Sequence, residues 1–162
     1  MATPTYDLLE SVTLATSATS VTFSSIDGSY GDLILVISAT RPSGWTRHEI
    51  TFNNSTTDYF KIQMIGDGSS TLINTLSRPY LSLWESGNLT ATPNTSIIQI
   101  MDYSATDKHK SVLMRGNNID RAVTAVAARW GNTAAISLIK IEAPTFDAGS
   151  TFNLYGIAKT VV

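Results

Sequence analysis

An all-β domain, built as a jelly roll or β-sandwich, is the fold class that this sequence predicts. Three observations carry the prediction. Apolar residues recur at every second position in short runs, the spacing of a half-buried strand. Turn-forming Gly, Asp, Asn and Pro break those runs at short intervals. No long stretch carries the 3.6-residue period of an amphipathic helix, and there are no heptads and no long repeat. A chain of 162 residues has room for one hydrophobic core, so residues 1–162 are assigned to a single domain, with residues 1–10 as an extended N-terminal arm.

The strands follow in order. Val12 and Leu14, then Val21 and Phe23, fit two early strands around a Ser/Thr-rich turn at Thr16–Ser20. After turns at Asp27-Gly28 and Tyr30-Gly31, the run Leu33-Ile34-Leu35-Val36-Ile37 is continuously apolar, which predicts a central strand covered on both faces. Glu49–Phe52 and Tyr59–Ile65 come next, and Gly66-Asp67-Gly68-Ser69-Ser70 is a strong turn signal. Tyr80 to Trp84, Ile97 to Met101, Val112 to Met114, Ala122 to Trp130, Ile136 to Ile141 and Phe152 to Ile157 complete about ten strands, a sandwich-like count. The predicted core is Leu33, Leu35, Ile37, Ile98, Ile100, Ile139, Phe152 and Leu154.

Composition narrows the function. Charged residues make up 15% of the chain, against about 25% in a typical soluble domain. Roughly a quarter of the residues are Ser or Thr, so surface polarity rests on hydroxyls and amides, as suits a surface partly covered by neighbours. A net charge of −2 offers no electrostatic footprint for nucleic acid. No apolar run is long enough to span a bilayer, and the first ten residues lack the basic-then-apolar pattern of a secretory leader. Without cysteine there is neither a disulfide framework nor a thiolate metal site.

Catalytic constellations are sparse. His48 and His109 are the two histidines, and Ser104, Asp107 and His109 sit together in a polar stretch that loop composition explains without a triad. Asp58, Asp67, Asp102 and Asp107 read as turn formers before they read as cation ligands. No catalytic residue, metal site or cofactor is therefore assigned. The sequons at Asn53, Asn54, Asn88 and Asn94 are what a chain so rich in Ser and Thr yields by chance. The interface candidates are Lys108, His109 and Lys110, a basic cluster suited to an acidic protein surface, with Trp45 and Arg47 in the loop Gly44-Trp45-Thr46-Arg47.

Several motifs resemble one known family. They are Tyr30-Gly31-Asp32-Leu33-Ile34-Leu35-Val36-Ile37-Ser38-Ala39, the Gly66–Ser70 turn, Lys108-His109-Lys110-Ser111-Val112-Leu113, and Arg129-Trp130 with Thr133-Ala134-Ala135-Ile136. The most specific is the closing Gly149-Ser150-Thr151-Phe152-Asn153-Leu154-Tyr155-Gly156-Ile157, which follows an early Ser/Thr-rich hairpin and the other motifs along most of the chain. Together they resemble small virion proteins of tailed bacteriophages. The resemblance implies a jelly-roll module that trimerises, without catalytic residues, as a capsid cement protein or a tail-fibre part. The expectation is a decoration protein on the capsid exterior, made in the host cytoplasm, whose partners are itself as a homotrimer and the major capsid protein. The alternative is a receptor- or carbohydrate-binding head of a tail fibre.

Overall fold

The computed structural model describes residues 5–44, 46–83, 89–118 and 122–159. Among them are eleven strands and no helix: β1 Tyr6–Thr13, β2 Ala18–Ser24, β3 Asp32–Ala39, β4 Glu49–Phe52, β5 Tyr59–Gly66, β6 Thr71–Arg78, β7 Asn94–Met101, β8 Lys110–Asn118, β9 Ala122–Trp130, β10 Leu138–Phe146 and β11 Thr151–Ile157. They form two sheets, in which every strand pairing is antiparallel. The large sheet has eight strands in the order β1-β11-β3-β7-β8-β9-β5-β6, and the small sheet has three in the order β2-β10-β4. The all-β sandwich predicted from period-two alternation is the fold of this chain.

One core lies between the sheets. Leu33, Leu35 and Ile37 of β3, Ile98 and Ile100 of β7, and Phe152 and Leu154 of β11 point inward from the large sheet. Val21 and Phe23 of β2, Ile139 and Ile141 of β10, and Ile50 and Phe52 of β4 meet them from the small one. All eight predicted core residues are buried. Trp130 packs edge-on to Phe52 at 5.7 Å and stacks on Tyr59 at 6.2 Å. The Tyr59 hydroxyl accepts the Phe52 N–H at 2.8 Å, and burial pushes its pKa up to about 12.

Three strands cannot roof eight, so connecting segments cover the rest. Leu81, Leu83, Leu89, Tyr103 and Ile136 lie outside the strands yet are buried in the same core. Leu81 is held by an isolated bridge to Ile50, and Leu89 by one to Thr46. The close of the family-like C-terminal motif has a packing reason: a Cβ on Gly156 would come within 2.5 Å of the Tyr30 ring, so only glycine lets that ring lie against β11.

The structure departs from the sequence expectations in five places. β1 and β2 do not form a hairpin; β1 pairs β11 and β2 pairs β10, so the chain changes sheet between them. Residues 14–17 contain none of the positive-φ positions that a tight hairpin turn requires. Residues 6–10, expected as an arm, belong to β1 and are tied to the sheet, with Tyr6 opposite Ile157. The stretch from Thr71 to Arg78, for which the sequence pattern predicts no strand, is β6. Conversely, among the described residues around Tyr80 there is no strand but an isolated bridge at Leu81, and Trp84 lies outside the described residues. Finally, Ile34 and Val36 are half-buried, because β3 carries the small sheet on one face only.

That last difference sets up a test. Leu35→Ala opens a cavity between the sheets and is expected to cost about 2–5 kcal/mol. Ile34→Ala, on the opposite face of the same strand, is expected to cost about 1 kcal/mol or less. Urea midpoints of the two variants check this, and equal losses would contradict a one-sided strand.

Candidate functional site

The outer face of the large sheet is largely apolar through its middle and at its β6 edge. Because register aligns outward-facing residues across neighbouring strands, the side chains form rows. One row runs Ile73, Met64, Ala125, Arg115, Ile97 and Val36 across β6, β5, β9, β8, β7 and β3. The next runs Ile62, Ala127, Leu113, Gln99, Ile34 and Tyr155, then reaches Leu8 on β1. Of the exposed large apolar residues, Tyr6, Leu8, Phe60, Ile62, Met64, Ile73, Leu113 and Val123 all lie on this face, and Leu72 alone points the other way.

Strand β5 shows most sharply how the sequence makes this face. Phe60, Ile62 and Met64 point outward and are exposed, while Lys61 and Gln63 point inward, 4% and 0% exposed. This inverts the ordinary rule for a sheet with one wet face. The cost of burying Lys61 is met locally: its ammonium donates to the Ser82 carbonyl at 2.7 Å and to its hydroxyl at 2.8 Å, whereas the buried Gln63 amide finds no hydrogen-bond partner among the described residues.

The charges in the middle of the face are positive, and Asp32 of β3 lies toward one end of it, opposite Ile157. Arg115 stands in the first row, and Arg129 lies over the Phe60 ring, 4.8 Å from its centroid. No carboxylate occupies either row. Between Tyr6, Ile34, Ile97, Gln99, Leu113 and Arg115 the surface sinks into a groove of about 290 Å³. A second hollow of about 370 Å³ continues past Arg115 toward Asn117 and Val123.

The sequence-predicted interface residues are dispersed. Lys110 is fully buried, and its ammonium donates to the carbonyls of Ala105 at 2.6 Å, Lys108 at 3.0 Å and Thr133 at 3.2 Å. It closes the β7–β8 loop and presents no charge to a partner, which corrects its place in a docking cluster. Burial lowers its pKa, while the Asp107 and Asp102 carboxylates push it back up. Lys108 pairs with Asp102 at 3.3 Å, and His109 is exposed beside it. Arg47 belongs elsewhere: it holds Glu49 at 2.8 Å and lies 4.9 Å from the Tyr80 ring centroid, on the side of the small sheet. Trp45 lies outside the described residues.

The chemistry-bearing side chains make no reaction centre among the described residues. No hydrogen bond joins Ser104, Asp107 and His109, and no group of three His, Asp or Glu is placed to hold a metal ion. Asp58 and Asp102 take left-handed backbone conformations in turns, and Asp67 caps the β5–β6 turn by accepting the N–H groups of Ser69 and Ser70. No helix there is long and apolar enough to cross a membrane.

No family model matches the chain, and no curated protein matches it. Among solved structures, an alginate lyase, Aly36B, is 13% identical over 94% of this chain and 81% of its own, with a TM-score of 0.34. A protein of unknown function, SO2946 from Shewanella oneidensis MR-1, is 10% identical over all of this chain and 80% of its own, with a TM-score of 0.22. Likenesses this distant transfer neither residues nor chemistry to this chain.

The other histidine has a measurable consequence. His48 is fully buried, and burial, with the charge of Lys61 added, lowers its pKa from 6.5 to about 4. In the unfolded chain it takes a proton near pH 6.5, so between that pH and 4 the unfolded state binds more protons than the folded one. Stability is therefore full above about pH 6.5 and falls as pH is lowered toward 4, by on the order of 3 kcal/mol from this group. Urea titrations at several pH values are expected to show this slope in the parent protein and a flatter one in His48→Gln. Equal slopes would contradict a histidine buried neutral.

Proposed function

We propose that the protein is a non-enzymatic structural subunit that docks the outer face of its large sheet on a protein assembly. Its setting in this proposal is the capsid of a tailed bacteriophage, where it acts as a decoration protein bridging subunits of the major capsid protein. The observation that carries the proposal is the inversion of β5, which buries Lys61 and Gln63 and sends Phe60, Ile62 and Met64 outward. A strand so arranged is suited to a surface that covers it, since an apolar patch of this kind marks an interaction site.

Charge selects the partner's chemistry. Arg115 stands among apolar side chains in a row without a carboxylate and Arg129 lies over the Phe60 ring, which complements a protein surface that brings acidic groups to an apolar contact. The virion setting comes from the resemblance of the motifs from Tyr30 to Ile157. A homotrimer fits the same purpose: three faces joined in one particle bind a repeating lattice far more tightly than one face does, because later attachments become intramolecular.

A second reading is favoured by one observation. The groove of about 290 Å³ offers the Tyr6 ring, the Gln99 amide and the Arg115 guanidinium above an apolar floor, a set suited to a receptor or carbohydrate on a fibre head.

Purified protein mixed with capsids stripped of it is expected to bind saturably. Ile62→Asp is expected to weaken that binding at least about tenfold, or 1.4 kcal/mol, with an unchanged circular dichroism spectrum. Saturable binding to host cells with none to capsids would overturn the decoration reading and favour the fibre head.

A further inference from the structure

We propose that β6 pairs with β6 of a second copy, antiparallel and two-fold symmetric about Asn74, so that two large sheets join edge to edge. This deepens the assembly reading by supplying a lateral contact between copies, and it stands on different residues from the outer face.

The large sheet has two free edges, and they differ. β1 carries Asp7 and Glu10, and its register with β11 slips between Leu8 and Glu10; charge and irregularity are the ordinary devices that keep an edge from pairing. β6 has neither. From Thr71 to Ser77 it holds no charged residue, and it pairs β5 without a slip over its full length. It also exposes apolar side chains on both faces, Leu72 at 50% and Ile73 at 61%. The small sheet shows nothing comparable: Val21 and Phe23 of β2 are buried, and Ile50 of short β4 is already bridged to Leu81.

The partner follows from the side-chain order of β6. Thr71-Leu72-Ile73-Asn74-Thr75-Leu76-Ser77 reads nearly the same in both directions about Asn74. In an antiparallel pair the residues opposite each other share a face. With Asn74 opposite Asn74, Leu72 meets Leu76 on the inner face, Ile73 meets Thr75 on the outer face, and Thr71 meets Ser77. Apolar groups meet apolar groups and β-branched residues meet β-branched residues once in each half of the symmetric contact, and amide meets amide on the two-fold axis. A one-residue slip would put inner side chains against outer ones. A two-residue slip sets either Arg78 against Leu72 or Leu72 against Asn74.

Charge agrees with the same register. Arg78 falls opposite Ser70 of the other copy, and the Ser70 N–H and hydroxyl hold the Asp67 carboxylate at 2.6 Å and 2.8 Å. Each end of the contact thus brings a guanidinium to a carboxylate already fixed in place. Leu72, the exposed apolar residue that the outer face leaves unexplained, is covered by the partner's Leu76. The outer faces of the two copies remain on one side and free to dock.

The chain has no cysteine, so single thiols report this register directly. Directly opposed strand residues fall within disulfide reach, whereas positions on the outer face away from the edge do not. Under mild oxidation of the free protein at micromolar concentration, Asn74→Cys is expected to form a covalent dimer at least roughly tenfold faster than Ile62→Cys. Leu72→Cys mixed with Leu76→Cys is expected to give a crosslinked heterodimer faster than either variant crosslinks alone, a readout that holds even where Asn74→Cys fails to fold. Crosslinking of the Leu72/Leu76 mixture no faster than the single variants, or of folded Asn74→Cys no faster than Ile62→Cys, would overturn the proposal. Because no capsid is present, failure here leaves the docking of the outer face untouched, and failure of capsid docking leaves β6 pairing untouched.

Discussion

A sheet of eight strands covered by a sheet of three is the constraint on which the rest of this molecule depends. A sandwich is stable when two apolar faces bury each other. Here the small sheet supplies Val21, Phe23, Ile50, Phe52, Ile139 and Ile141, enough to meet β3, β7 and β11. Beyond that zone the inner face is covered by connecting segments through Leu81, Leu83 and Leu89. At β5 and β9 it turns polar, with Lys61, Gln63 and Thr124 buried there. Part of the apolar content of those strands, Phe60, Ile62, Met64 and Val123, is displaced to the outside, while Tyr59, Ile65, Val126 and Trp130 stay buried.

The displacement explains why a chain with little charge has so much exposed apolar surface. Only 15% of its residues are charged, and across the two central outer rows the charge is a single guanidinium. Several exposed charges elsewhere are engaged in local pairs: Lys108 with Asp102, Arg47 with Glu49 and Lys140 with Glu142. Pairs of this exposed kind add little to stability but leave the surface with no strong field to steer a partner. Docking through such a face then depends on shape and apolar contact, with Arg115 and Arg129 setting orientation.

Sequence made the core legible and left the outside obscure, for a physical reason. Period-two alternation locates a strand but is symmetric between its faces, so it leaves open which side of Tyr59–Ile65 is surface; Phe60, Ile62 and Met64 are. The continuous run at Leu33–Ile37 implied a second covering layer, where the structure shows an outer apolar face half-shielded by neighbouring strands. β6 is hard to see in the sequence because at an edge its apolar residues Leu72, Ile73 and Leu76 fall on both faces, so they do not alternate. Lys110 read as a surface charge; its three carbonyl partners come from a loop and a segment more than twenty residues away, which no local pattern reveals.

The orientation of β5 is the claim on which the interaction surface rests, and side-chain reactivity in the free protein measures it most directly. Met64 lies on the outer face, 49% exposed, whereas Met114 on the inner face is 3% exposed. Brief peroxide treatment followed by mass spectrometry is predicted to oxidise Met64 well before Met114. Amine labelling of the same folded sample is predicted to modify Lys108 and spare Lys61. Prompt labelling of Lys61 together with a protected Met64 would put the strand the other way round and contradict the account.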